Sequence, residues 1–230
     1  MSAVEHPVAP GRGANGGMSL PLKLFAAAAA VEIGAVAADW TALQWVAKPL
    51  LAPLLIWHLR RHGPLDTVAV GLAFATAGDI ALLVPGEPAF LTGMLFFLGA
   101  QVSFIVAFLR RARPRWWAFA GYGLVWAGAN AALWGQLGAL RVPVLLYSLA
   151  LTAMAAAAAG VSRRVALGGL LFLISDLLIG LDAAGTRLPA QGVLVMTTYS
   201  AALFLIATGW VRSRAPQPVN DPHAYSTSTS

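Results

Sequence analysis

Long apolar stretches dominate this chain of 230 residues and leave little sequence between them. A helix needs about 20 apolar residues to cross a hydrocarbon core of about 30 Å. Stretches of that length predict eight membrane-spanning helices, at residues 22–38, 41–59, 66–84, 89–109, 115–135, 141–160, 165–182 and 191–211. With 59% hydrophobic and 10% charged residues, the chain is too apolar for one soluble domain. We therefore expect an all-α, polytopic membrane protein, a bundle of eight transmembrane helices.

The connections between the spans are short, so we expect one membrane domain over residues 21–211. Both ends of the chain are poor in apolar residues, which predicts disordered tails over residues 1–20 and 212–230. Residues 35–37 of the first span read Ala-Val-Ala and could be taken for a signal-peptide cleavage site. Glu32 interrupts the apolar region before that site, so we expect the first span to stay in the protein.

Basic residues are concentrated in alternate connections. Twelve of the fifteen lie on one side of the predicted bundle: Arg12, Lys23, Arg60, Arg61, Arg110, Arg111, Arg113, Arg115, Arg163, Arg164, Arg212 and Arg214. The other side holds Arg141 and Arg187, and Lys48 lies within a span. The positive-inside rule then predicts that both termini are cytoplasmic. This topology accounts for the net charge of +6 without a nucleic-acid partner, and we expect a multi-pass protein of a bacterial inner (cytoplasmic) membrane.

Two carboxylates are predicted at nearly the same depth in the membrane. Asp79 lies about five residues, or roughly 8 Å, below the outer end of the third span, and Asp176 about six residues below that of the seventh. Even on a lenient insertion scale, each such acid costs about 2.5 to 3.5 kcal/mol. Small residues share the helix face of each acid and would let neighbouring helices approach. We therefore expect both acids to point into the bundle, where they would share a polar pocket.

Other polar side chains reach the same outer layer of the predicted bundle. They are Glu32, Lys48, Asn130, Tyr147 and Tyr199, with Gln101 somewhat deeper. A structural alternative is that these groups only hold the helices together, with Lys48 neutralising an acid. Two carboxylates together with a cluster of partners favour a functional pocket.

The residue types around the acids restrict the chemistry. The chain has no cysteine, and its histidines lie in the tails or at the cytoplasmic end of a span: His6, His58, His62 and His223. We therefore expect no metal and no cofactor at the depth of the acids. A carboxyl in apolar surroundings keeps its proton, whereas one near Lys48 stays ionised. Such a pair could donate a proton with one acid and activate water with the other.

Several short motifs, in a fixed order over residues 22–211, resemble those of the YhhN family of lysoplasmalogenases. They are Lys48-Pro49-Leu50, Gly78-Asp79 with Leu82-Leu83, Phe90-x-x-Gly93-x-x-x-Phe97, Tyr147, the run from Gly169 to Ser175-Asp176, and Thr198-Tyr199. The resemblance implies hydrolysis of the vinyl-ether bond of a lysoplasmalogen, a lysophospholipid substrate drawn from the membrane. The products would be a fatty aldehyde and glycerophosphoethanolamine or glycerophosphocholine.

The resemblance also assigns roles. Asp79 and Asp176 match the family's Gly-Asp and Ser-Asp motifs and are the implied catalytic pair. We take Asp176 as the acid, because its neighbours are more uniformly aliphatic, and Asp79 as the base. The candidates for binding the glycerol and phosphate end of the substrate are Lys48, Asn130, Tyr147 and Tyr199, and Lys48 could instead tune an aspartate.

Three positions depart from the family pattern. Gln101 and Phe104 stand where the family often has His and Tyr, and Leu203 stands where Gln is common. A proton relay or headgroup contact made from those positions would differ in this chain, which allows a different lipid substrate. An alternative function is a small proton-coupled transporter that uses the same two aspartates as protonation sites. Both aspartate-bearing spans run in the same direction, so an inverted repeat of the transporter kind is not supported.

Overall fold

The computed structural model describes residues 18–138, 141–183 and 185–214. Within these ranges the chain forms helices and no strand, which confirms the all-α class. The helices are α1 (Leu20–Ala37), α2 (Thr41–Ala47), α3 (Leu51–Arg61), α4 (Thr67–Leu82), α5 (Glu87–Arg111), α6 (Trp116–Leu133), α7 (Arg141–Val161), α8 (Arg163–Ala183) and α9 (Gln191–Arg214). A short 3-10 turn, Lys48–Leu50, joins α2 to α3 and makes the second predicted span one helical stretch.

Each predicted span coincides with a helical segment to within a few residues. Five helices, α1, α5, α7, α8 and α9, are long and apolar enough to cross a membrane, and α4 is a shorter apolar helix. The protein is therefore an integral, multi-pass helical membrane protein. The count of eight spans and the cytoplasmic position of both termini stay predictions.

The predicted tails lie mostly outside the described residues. Where the structure describes them, helix extends further than expected, because α1 begins at Leu20 and α9 continues to Arg214. The last turn of α9 is held by a salt bridge of 3.2 Å between Arg214 and Asp66. Arginines near a helix C-terminus also interact favourably with the helix dipole.

Glycines set the close contact between α4 and α5. A Cβ atom added to Gly78 would lie 2.7 Å from the ring of Phe97, and one added to Gly71 would lie 2.6 Å from the ring of Phe104. The phenylalanines of α5 thus lie directly on the backbone of α4. This packing fixes the face of α4 that carries Asp79 toward the interior of the bundle.

Two adjacent glycines let α8 pack tightly on two sides. A Cβ atom added to Gly169 would lie 3.2 Å from the Cα atom of Ala155 on α7, and one added to Gly168 would lie 3.0 Å from the carbonyl oxygen of Ala202 on α9. Larger side chains at these positions would push the helices apart. The Gly-Gly pair therefore places Asp176, two turns further along α8, between α7 and α9.

The arginine-bearing connections meet at one end of the bundle, here called the arginine end. The guanidinium group of Arg111 donates a hydrogen bond to the carbonyl oxygen of Ser213. Asp66 caps the start of α4, accepting a hydrogen bond of 3.0 Å from the backbone nitrogen of Val68. The opposite end, where α4 and α8 finish and α5 and α9 begin, carries the larger of the two cavities described below.

Candidate active site

Asp79 is buried in the middle of the bundle and hydrogen-bonded by a tyrosine. Only 2% of its surface is exposed, and its Oδ2 atom accepts a hydrogen bond of 2.7 Å from the hydroxyl of Tyr199. The ring of Tyr199 lies edge-on to Phe97 and Phe172, with ring centroids 5.9 and 5.7 Å away. Because this aromatic packing leaves the ring little freedom, the phenol is held against the carboxylate.

Asp176 has a similar arrangement on α8. Its Oδ2 atom accepts a hydrogen bond from the hydroxyl of Tyr147 on α7. Unlike Asp79, Asp176 is only partly buried, because it lines a cavity. The two acids therefore differ in access, although each has a tyrosine as its hydrogen-bond donor.

Asp79 is close enough for its charge to act on Asp176. Lys48 and Glu32 lie within the same electrostatic reach of Asp79. Glu32 is fully buried, and neither of its carboxylate oxygens has a hydrogen-bond partner among the described residues. Asp176, Lys48 and Glu32 thus lie around Asp79 in one cluster.

An apolar cavity of about 110 Å³ lies between α5, α6, α7 and α8, and we call it the inner cavity. Phe97 and Leu173 supply part of its hydrocarbon wall, and Asp176, Tyr147 and Asn130 supply polar groups. The cavity can therefore hold a section of hydrocarbon next to a carboxyl group.

A small hydrogen-bond network surrounds Asn130 in the wall of the inner cavity. Its Nδ2 atom donates to Ser148 Oγ at 3.1 Å and to the carbonyl oxygen of Trp126 at 2.9 Å. The indole nitrogen of Trp126 donates to the same Ser148 Oγ atom at 3.1 Å. The Oδ1 atom of Asn130 is buried and has no partner among the described residues, so it remains available as an acceptor.

A second, larger cavity of about 910 Å³ lies at the end of the bundle opposite the arginine end, and we call it the vestibule. Its charged and amide-bearing lining residues are Gln44, Lys48, Glu87, Asp182, Arg187 and Gln191. Leu82, Phe90 and Ile179 line both this vestibule and the inner cavity. The two spaces are therefore adjacent, and the vestibule has several charged groups in its lining whereas the inner cavity is almost wholly apolar.

A comparison with known protein families shows to which family this chain belongs. The sequence profile of the YhhN family matches residues 43–210. The chain belongs to the YhhN family. Two curated relatives, both named lysoplasmalogenase TMEM86A, come from Bos taurus and Homo sapiens. They are 31% identical over 171 residues and 29% identical over 175 residues, and each alignment covers 69% of this chain and 70% of the relative. No solved structure matches the chain.

Gln101 and Phe104, two of the residues that depart from the YhhN pattern, have different surroundings in the structure. Gln101 is fully buried beside Tyr147 and Asp176, but its side-chain amide has no hydrogen bond of normal geometry among the described residues. Phe104 is also fully buried, and its ring lies edge-on to Phe172 with centroids 6.4 Å apart. Gln101 therefore remains at the site as an amide, whereas Phe104 belongs to the hydrophobic core.

The six candidate residues fall into three groups in this member of the YhhN family. The inner cavity contains Asp176, Tyr147 and Asn130, the vestibule contains Lys48, and Asp79 and Tyr199 form a buried pair that lines neither space. The roles assigned to them stay predictions.

Sequence reasoning missed Trp126 and Ser148 in the inner cavity and Glu87 in the vestibule. Trp126 lies four residues before Asn130 on the same helix face, and this spacing is a signal that could have found it. Ser148 had no such signal, because adjacent residues on a helix point in different directions. Glu87 had none either, since it reads as an ordinary acid at a helix start.

Proposed function

We propose that this protein is a membrane hydrolase that cleaves the vinyl-ether bond of lysoplasmalogens. The products are a fatty aldehyde and glycerophosphoethanolamine or glycerophosphocholine. One observation carries the proposal: two carboxylates inside the bundle, each hydrogen-bonded by a tyrosine, with Asp79 in electrostatic reach of Asp176 and Asp176 at the wall of an apolar cavity. The names of the curated relatives support the same activity.

Asp176 is the proposed acid. It faces the inner cavity, where an alkenyl chain would lie, while Tyr147 occupies its Oδ2 atom and leaves Oδ1 to carry the proton. Transfer of that proton to the β-carbon of the vinyl ether leaves an oxocarbenium ion. The carboxylate of Asp176 and the charge of Asp79 then stabilise the cation from the protein side.

Asp79 is the proposed base. Water attacks the oxocarbenium carbon and gives its proton to Asp79, which forms a hemiacetal. Asp79 next returns this proton to the glycerol oxygen as the carbon–oxygen bond breaks, while Asp176 takes the proton of the hemiacetal hydroxyl. Both acids end in their starting states, one water is consumed, and no further reactant is needed.

The proposal includes the orientation of the bundle. The arginine end faces the cytoplasm, both termini are cytoplasmic, and the helical segments make eight spans. The site then lies in the outer half of the membrane, which we propose to be a bacterial cytoplasmic membrane. The meeting of arginines from several connections at one end supports this orientation.

The test uses the purified full-length protein in detergent, with a lysoplasmalogen as substrate and aldehyde release as the readout. We expect Asp79→Asn and Asp176→Asn to lower turnover at least about a hundredfold while the thermal unfolding temperature changes little. Asp39→Asn is the matched control, because Asp39 is an exposed acid that lines neither cavity. Wild-type turnover in both aspartate variants would refute the assignment. No turnover by folded wild-type protein on any vinyl-ether lipid would favour the transporter alternative.

A further inference from the structure

The vestibule lies directly above the buried acids, toward the end opposite the arginines. Three of its lining residues are one helical turn from a site residue: Leu82 from Asp79, Ile179 from Asp176 and Met196 from Tyr199. A separation of three residues corresponds to about 4.5 Å along a helix. A molecule whose reacting bond lies at the acids must therefore place its next few atoms in the vestibule.

Of the four charged residues that line the vestibule, two form a salt bridge with each other and two do not. Asp182 and Arg187 form a bidentate ion pair, with contacts of 2.8 and 3.2 Å, and so largely neutralise each other. Lys48 and Glu87 line the same space, and neither forms a salt bridge with any described residue. The vestibule thus presents to a ligand one cation and one anion that form no salt bridge with any described residue.

The positions of these two charges are determined by the fold. Lys48 lies on the 3-10 turn between α2 and α3, within electrostatic reach of Asp79, and so lies deeper in the bundle. Glu87 is exposed in the first turn of α5, at the rim of the bundle. A ligand that satisfies both therefore carries its negative group closer to the acids and its positive group further out.

We propose that the vestibule binds the zwitterionic headgroup of a lysophospholipid, with Lys48 contacting the phosphate and Glu87 contacting the ammonium group of ethanolamine or choline. In such a lipid the phosphate lies nearer the ether bond, and the ammonium lies further from it. This order matches the depths of Lys48 and Glu87. The inference rests on the proposed hydrolase function and identifies the part of the substrate that the vestibule recognises.

The glycerol unit connects the two regions. Four atoms separate the ether oxygen from the phosphorus, and this linker would pass the residues shared by both cavities, Leu82, Phe90 and Ile179. The alkenyl chain then continues into the inner cavity beside Asp176. One extended lipid molecule would in this way contact Glu87, Lys48 and the acids in sequence.

The test compares substrates that differ only in the headgroup. A general loss of activity in a variant lowers kcat/KM for both substrates alike and so leaves their ratio unchanged. For Glu87→Gln, the readout is the ratio of kcat/KM for a choline lysoplasmalogen to kcat/KM for the same lipid ending at phosphate. For Lys48→Gln, it is the ratio for the phosphate lipid to the uncharged 1-alkenylglycerol. We expect each variant to lower its own ratio about two- to fivefold, the effect of one partly exposed ion pair.

The control variant is Asp39→Asn, which removes one exposed acid outside the vestibule and leaves both ratios at their wild-type values. Wild-type ratios in both vestibule variants, with normal hydrolysis, would overturn the headgroup inference and leave the hydrolase proposal intact.

A second measurement separates the two proposals if the wild type hydrolyses nothing. A saturated ether analogue, 1-O-alkyl-lysophosphocholine, has the headgroup but no vinyl group to protonate. We expect calorimetry in detergent micelles to show binding by the wild type, and binding about two- to fivefold weaker to Glu87→Gln. Equal binding by both proteins would overturn the headgroup inference, whereas weaker binding by the variant supports it whether or not hydrolysis occurs.

Discussion

The hydroxyl of Tyr199 donates a hydrogen bond of 2.7 Å to Asp79, and the two residues come from helices separated by more than a hundred positions in the chain. A second tyrosine, Tyr147, makes the corresponding contact with Asp176. In the proposed reaction these phenols hold the carboxylates in place and occupy one oxygen of each. In that reaction they act as positioning residues, and the substrate contacts expected of them stay predictions.

Removal of either hydroxyl should slow the chemical step. We expect Tyr199→Phe and Tyr147→Phe to lower kcat about 10- to 100-fold with a smaller change in KM, because a hydrogen bond to a charged group contributes about 1.5 to 3 kcal/mol. Tyr122→Phe is the control, since Tyr122 packs against the core and lines neither cavity. Steady-state kinetics of aldehyde release measures the effect. A loss confined to KM would instead indicate that the phenols bind substrate.

Protonation at carbon leaves a label in the product. If Asp176 transfers an exchangeable proton to the β-carbon, hydrolysis in D₂O gives an aldehyde with a single deuterium next to the carbonyl group. Mass spectrometry of the aldehyde, reduced at once to the alcohol, measures the incorporation. Unlabelled aldehyde incubated with the Asp176→Asn variant corrects for later exchange. A product without deuterium would exclude the proposed first step.

The contact between Gly78 and Phe97 links helix packing to the site. Gly78→Ala places a methyl group within 2.7 Å of the ring of Phe97, and that ring in turn packs on Tyr199. We expect a loss of about 1 to 3 kcal/mol in stability together with lower turnover. Differential scanning fluorimetry and the aldehyde assay measure the two effects.

The matched control for that substitution is Gly121→Ala, where an added Cβ atom meets nothing within 4 Å. Alanine there should leave stability unchanged or slightly higher, because alanine is a better helix former than glycine. Adding Phe97→Leu to Gly78→Ala should restore part of the stability by making room for the methyl group. No recovery in the double variant would show that the contact with Phe97 is not the cause.

The proposed orientation is tested by cysteine labelling, which the absence of native cysteine makes simple. We expect Pro85→Cys, in the exposed connection between α4 and α5, to react with a membrane-impermeant maleimide in intact cells. Leu65→Cys, exposed at the arginine end, should react only after the membrane is opened. The reverse pattern would invert the topology.

Much of the fold could be predicted because the bilayer demands long apolar helices. The helix boundaries follow from composition alone, as for α7, which was expected at 141–160 and found at Arg141–Val161. The position of the two acids inside the bundle was also predictable, since a carboxylate that faces lipid is costly. Each of these features, the apolar helix and the acid inside it, can be read from a single stretch of sequence.

The partners of the acids could not be predicted, because they depend on how the helices pack. Depth placed Tyr147 and Tyr199 in the right layer but could not show that each donates to an aspartate. Glu87 was missed because an acid in the first turn of a helix is ordinary, and only the folded structure shows that it lines the vestibule.

The inner cavity has α6 on one side, and α6 packs against α7 rather than closely against α5. In the proposed reaction a fatty aldehyde is therefore released beside the lipid bilayer, and the water-soluble glycerophosphodiester is released through the vestibule. The two products then leave through adjacent spaces, the aldehyde into lipid and the diester into water. The reverse reaction would require the aldehyde and the glycerophosphodiester to enter the site together. Their partition between the lipid and the water would therefore drive the hydrolysis forward.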